Sequence, residues 1–159
     1  MEAPSQWVVV LATAYAMLLG GLVGLEREFK RKPAGFRTHM LVAGAAALLL
    51  GIGRLFVGAG VTNVEALQID PLRLVEAVVA GVAFIGAGTI FSHRGGRVVE
   101  GITTAASLLM VAVIGIAAGL GYHLLARAAT ALTLVVLVVL RLFERKRDGA
   151  SDGARGGRT

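Results

Sequence analysis

The sequence predicts an all-α integral membrane protein of five transmembrane helices, with the N-terminus outside and the C-terminus in the cytoplasm. Three observations carry this. Apolar residue types make up 56% of the 159 residues and charged types only 16%, more apolar surface than a soluble domain of this size can hide. These residues fall into five runs of about 20, and a helix of that length, rising 1.5 Å per residue, crosses a hydrocarbon core ~30 Å thick. With five crossings, the first gap, the third gap and the C-terminal segment share one side and hold five, two and, counting Arg141 at its edge, six Lys or Arg, against only Arg54 and Arg73 on the other. The positive-inside rule makes the richer side cytoplasmic.

The first helix, 7–25, follows a start that carries Glu2 and no Lys or Arg. It lacks the basic n-region of a secretory signal and is predicted to be a retained span. Gly20 and Gly24 form a GxxxG pair near its end, where another helix can come close. The connection 26–37 holds Arg27, Lys30, Arg31, Lys32 and Arg37, with Pro33-Ala34-Gly35 as a breaker. The second helix, 38–56, is rich in alanine. After it, Asp70 directly before Pro71 is a helix-start signature, a capping carboxylate ahead of a first-turn proline, and opens the third helix, 72–91. The fourth, 102–120, is entered through Thr103 and Thr104 and carries a second GxxxG pair, Gly115 and Gly119. Gly119 and Gly121 mark a tight turn into the fifth, 122–143, which holds Arg127 about one and a half turns from its outer end. Arg127 must snorkel outward or pair with an acid. Residues 1–143 form one transmembrane domain, and 144–159, polar and glycine-rich, are expected to be a disordered cytoplasmic tail.

Several function classes are excluded by pattern. The net charge of +6 suggests nucleic acid, but the basic residues lie in gaps between apolar runs and aromatics are few. No cysteine is present, so there are no disulfides or thiolate sites. His39 and His93 are expected to face the cytoplasm and His123 the outside, with no zinc spacing, no Ser/His/Asp order and no HExxH pattern. No enzyme is expected, and the lack of an ATP-binding motif rules out a pump. Two polar constellations remain. Asp70, Arg73 and Glu76 lie at i, i+3 and i+6, so Arg73 neighbours both acids on a helix. They read either as an outward mouth whose carboxylates, Asp70 and Glu76, attract hydrated Mg²⁺, or as a cap, an interface anchor and its ion-pair partner. On the cytoplasmic side, Glu26, Arg27, Glu28, Arg37, Thr38 and His39 read either as a solvated topogenic loop or as a folded cluster in which Glu26 meets Arg37. Thr103 and Thr104 bond back to their own helix or across to the third. Gly20, Gly24, Gly81, Gly86, Gly88, Gly115 and Gly119 are the expected close-approach positions.

The segments GGLVGLEREFKRKPAGFRTHMLV, IDPLRLVEAVVAGVAFIGAGTIF and EGITTAASLLMVAVIGIAAGLG together resemble the MgtC/SapB family of bacterial inner-membrane proteins. The shared motifs are ER followed by AGxRTHxLV, then DPxR, FxGAG and GxTTAA. The resemblance implies shared polar positions at Glu26, Arg27, Arg37, Thr38, Asp70, Arg73 and Thr104. Ala77 stands where the family usually has glutamine, beside the acidic Glu76, and Thr103 where some virulence-associated members have asparagine. The resemblance also implies adaptation to low magnesium and, in one branch, restraint of the F-type ATP synthase. Longer members carry a cytosolic domain after the membrane part, which is not expected here. The resulting expectation is a non-enzymatic inner-membrane protein of magnesium and ion homeostasis, with no resident cofactor, acting through helix contacts with membrane partners or with a second copy. The alternative is a small Mg²⁺ transporter or channel with its mouth at Asp70, Arg73 and Glu76.

Overall fold

The computed structural model describes residues 5–58, 71–91 and 101–155, without the side chains of 71, 91 and 140–155. Among the described residues every element is helical: α1 Gln6–Phe29, α2 Phe36–Gly58, α3 Pro71–Phe91, α4 Ile102–Gly119 and α5 His123–Arg155. Four segments are long and apolar enough to cross a membrane: Gln6–Phe29, Phe36–Gly58, Leu72–Ile90 and Ile102–Gly119. The apolar part of α5, His123–Val139, is shorter. Large apolar side chains such as Trp7, Leu11, Leu18, Leu124 and Leu132 are exposed around the bundle, a surface suited to lipid rather than water. The molecule is a multi-pass membrane protein.

Two helix boundaries differ from the sequence expectation in ways that matter. Helix α1 runs four residues beyond position 25, because Glu26, Arg27 and Glu28 are good helix formers and no breaker comes before Pro33. It ends in a Schellman motif: the Lys32 amide donates to the Arg27 carbonyl (3.1 Å) and the Arg31 amide to the Glu28 carbonyl (2.9 Å). Arg31 takes the left-handed position, φ 50°, usually given to glycine. Helix α5 does not end at 143 but continues to Arg155. The segment expected as a disordered tail therefore begins as helix, since a helix already formed adds residues at little cost and Glu, Arg and Lys favour it. The α4–α5 turn repeats the Schellman geometry, with Gly121 at φ 88° and the Tyr122 amide donating to the Ala117 carbonyl at 2.8 Å.

Lipid tails are as apolar as leucine, so helices in a bilayer gain by close packing rather than by escaping water. The glycines set that packing. A Cβ on Gly20 would lie 2.6 Å from the His39 carbonyl oxygen, and one on Gly24 2.8 Å from the Phe36 Cα, so α1 and α2 are antiparallel and nearly backbone to backbone. Helix α4 runs beside α2 in the same direction. A Cβ on Gly115 would strike the Ala43 carbonyl, and one on Gly119 would lie 2.6 Å from that of Ala47. Helix α4 thus sits at the centre of the bundle. On one side Val111, Ile114 and Ala118 pack with Ala16, Val23, Ala43, Ala47 and Ala126. On the other, Leu108, Ala112 and Ile116 pack with Ala46, Leu50, Val78 and Val82 of α2 and α3. Successive helices alternate in direction, bringing the end of α1 and the starts of α2 and α4 to one end of the bundle.

Candidate functional site

That shared end holds a buried polar cluster. Arg27, in the last turn of α1, is 3% exposed, and His39 and Thr104 are 0% and 1% exposed. The Arg27 guanidinium crosses to α4, where Nη2 donates to Thr104 Oγ1 at 3.1 Å. One turn further along α4, Ser107 Oγ lies 3.0 Å from His39 Nε2 and 2.8 Å from the Thr104 carbonyl. The other imidazole nitrogen, Nδ1, lies 2.8 Å from the Gly35 carbonyl. A carbonyl only accepts, so Nδ1 carries a proton. In a neutral ring Nε2 is then an acceptor, and the single Ser107 hydroxyl proton goes either to Nε2 or to the Thr104 carbonyl.

The charges are arranged around Arg27. The Glu26 carboxylate is about nine-tenths buried; it ion-pairs with Lys30 one turn on and lies 4.0 Å from Arg27 Nη1. Lys30 Nζ also donates to the Leu137 carbonyl of α5 at 3.2 Å, so one lysine ties the first helix to the last. Glu26 Oε2 and Arg27 Nε, both buried, have no hydrogen-bond partner among the described residues. One acid therefore faces two bases. This balance does not recommend the cluster as a cation site, because a divalent ion would meet two fixed positive charges beside one carboxylate.

The basic connection does fold back on itself, but through a different acid from the one expected. Glu28 Oε2 accepts from the Phe36 backbone amide at 2.9 Å and so caps the start of α2, where free amides favour a carboxylate. Gly35 is needed beside it, since a Cβ there would collide with the Glu28 carboxylate. Arg37 is exposed and does not meet Glu26, which turns inward to Lys30. Thr38 is half-buried. His39, expected at the cytoplasmic surface, is fully enclosed. The Ser107–His39 pair has the contact of a nucleophile and its base, but both are buried and the group orienting His39 is a backbone carbonyl. It therefore reads as structural glue between α2 and α4.

The remaining candidates are distributed as follows. Thr104 bonds to α1 rather than to its own helix or to α3, while Thr103 is exposed. Arg73 and Glu76 are exposed and lie on the side of α3 away from its packed residues Val78, Val82 and Gly86. Asp70 is outside the described residues, as are His93 and the third connection. Among the described residues no three His, Cys, Asp or Glu side chains come together as a metal site. A Cβ on Gly86 would touch Ala105 at 3.2 Å, whereas one on Gly81 or Gly88 would meet nothing within 4 Å. Arg127 is exposed at the opposite end. The sequence did not single out Lys30 or Ser107, and it placed His39 in the cytoplasmic constellation without its partners. Two signals were present: His39 closes the AGxRTH motif, and Ser107 stands one helical turn after Thr104.

The sequence profile of the MgtC family matches residues 13–146, which contain every residue of this cluster. The chain belongs to the MgtC family. Curated relatives agree. An uncharacterized protein of Haemophilus influenzae is 36% identical over 142 residues, 89% of this chain and 59% of that protein. The Escherichia coli K12 protein named "Putative magnesium transporter YhiD" is 36% identical over 130 residues, 82% of this chain and 59% of its own. Protein MgtC of Brucella abortus is 38% identical over 128 residues, 80% of this chain and 49% of its own. The chain thus spans between about half and three-fifths of the length of these relatives. No solved structure matches it. Within the family match, the motif ER with AGxRTH contributes Arg27, Gly35 and His39 to the buried cluster, and GxTTAA contributes Thr104, so two motifs far apart in the chain meet in one hydrogen-bonded knot.

Proposed function

We propose that this chain is a bacterial inner-membrane protein serving magnesium and ion homeostasis without catalysis, by contacting a membrane partner through the outward face of α3. In this reading it crosses the membrane five times, N-terminus outside and C-terminus cytoplasmic. Its family and the printed name of the Escherichia coli relative support the ion-homeostasis part. The observation that carries the contact part is the placement of Arg73 and Glu76. Both are exposed on the side of α3 that faces away from the bundle, beside Ala77, Ala80 and Phe84, which is 83% exposed. An acid more than a turn into an apolar span is costly against lipid unless another protein covers it. The Arg27 cluster, in contrast, is consumed within the fold and serves to hold the face in place.

A photoreactive residue at Phe84 tests this. In native membranes at low magnesium it should give a discrete adduct with a membrane protein, lost when Glu76→Leu is added. Diffuse lipid labelling alone would end the proposal. The name of the Escherichia coli relative supports a second reading, cation transport past Glu76. Magnesium flux into proteoliposomes that falls on Glu76→Gln would favour it over the contact role.

A further inference from the structure

At the end of the bundle opposite Arg27, the α4–α5 turn is set back from the neighbouring helix ends. Gly119, the last residue of α4, lies beside Ala47, yet α2 continues to Gly58. His123, the first residue of α5, stacks edge-on with Tyr15 at 5.3 Å, although α1 began at Gln6. Nine to eleven residues of helix amount to roughly 13–16 Å, so α1 and α2 overhang the turn. Beneath the overhang is a recess of about 450 Å³ lined by Arg54, His123, Arg127 and Tyr15, with Val8 and Leu11 among its apolar wall.

The charge in this recess is one-sided. Arg54 donates from Nη1 to the Gly119 carbonyl at 3.1 Å, which caps α4, and its other N–H groups have no partner among the described residues. Among the described residues Arg127 has no hydrogen bond or ion pair, and none that line the recess is Asp or Glu. Tyr15 is already committed, its hydroxyl donating to the His123 carbonyl at 3.4 Å. Two guanidiniums beside an apolar wall, without a carboxylate, present planar forks of N–H donors suited to phosphate oxygens. Desolvation by the wall strengthens that attraction relative to water.

We propose that this recess binds an anionic phosphate group, held by Arg54 and Arg127, and that Val8 and Leu11 give it the form of a phospholipid headgroup site. The site is independent of the α3 contact face. The test uses the purified full chain in detergent, with native mass spectrometry and thermal unfolding as readouts. Phosphatidylglycerol should remain bound and raise the unfolding midpoint by about 3–5 °C. Phosphatidylcholine, whose phosphate is offset by its own choline, should do neither. Arg127→Gln should weaken phosphatidylglycerol retention about tenfold while leaving the helical signal and the lipid-free midpoint unchanged, because Arg127 makes no hydrogen bond or ion pair among the described residues. Binding of inorganic phosphate alone with the same Arg127 dependence would keep the site and assign it to a soluble anion. Retention of phosphatidylglycerol no better than phosphatidylcholine, or unaffected by Arg127→Gln, would overturn the proposal.

Discussion

Arg27 illustrates how little freedom a charged side chain has once three helices close over it. It is 3% exposed, with Thr104 Oγ1 as an acceptor and the Glu26 carboxylate as its nearest opposite charge. A buried guanidinium that loses an acceptor keeps its desolvation penalty and loses what offset it. Thr104→Ala should therefore destabilise the protein by about 1–3 kcal/mol, read as a lowered unfolding midpoint in detergent, with Thr104→Ser recovering most of the loss. The neighbouring Thr103→Ala, at an exposed position, should stay within about 0.5 kcal/mol of wild type. Equal effects at both positions would mean that the Arg27–Thr104 bond contributes nothing. Adjacent threonines with identical chemistry thus differ only in which face of α4 they occupy.

Among the helices, the glycines divide into those that permit contact and those that do not take part in it. Gly115 faces the Ala43 carbonyl, and an added methyl there would meet backbone that cannot turn aside. Gly88 faces open space within the chain. Gly115→Ala is expected to cost at least about 1–3 kcal/mol by forcing α2 from α4. Gly88→Ala should stabilise α3 by roughly 0.5–1 kcal/mol through helix propensity. Both changes are measured by thermal unfolding of the isolated protein. If Gly88→Ala leaves stability intact yet reduces the crosslink from Phe84, the residue belongs to an external contact face. The GxxxG spacing marked Gly20, Gly24, Gly115 and Gly119, because four residues return a helix to one side. Spacing could not distinguish Gly86 from Gly81 and Gly88, since from Ala77 to Phe91 every face of α3 is free of charge and only the neighbour at Ala105 separates them.

For the molecule as a whole, orientation follows from charge counting and has a direct test. The chain contains no cysteine, so single cysteines introduced at Glu2 and Ser151 report topology cleanly. In intact cells an impermeant thiol reagent should label the first and not the second; the reverse pattern would invert the proposed orientation. Class and order of elements were legible because each run of about 20 apolar residues is a local property, readable without knowing its neighbours. The two ends that moved furthest, α1 beyond 25 and α5 beyond 143, did so where polar helix formers follow an apolar run, since a hydropathy boundary marks where lipid would end rather than where the backbone stops being helical. The polar cluster was half legible. Arg27, His39 and Thr104 were named, but the partnership of Arg27 with Thr104 across 77 residues was not, nor were Lys30 and Ser107 as members. The expected Glu26–Arg37 meeting was replaced by Glu28 on the Phe36 amide, because α1 runs on to Phe29 and its helical turn points Glu26 inward and Glu28 toward the start of α2.

By itself the sequence determined an all-helical membrane protein, the order of its apolar segments and the family to which it belongs. The tertiary structure alone decided which polar residues are enclosed and which face outward. Arg27 and Glu76 both sit in helices of mostly apolar residues and look alike along the chain, yet the first is locked against α4 and the second is exposed on α3. The difference is made by glycines that bring α1, α2 and α4 to backbone contact and leave α3 packed on one side only, a matter of which surfaces touch that no local pattern records.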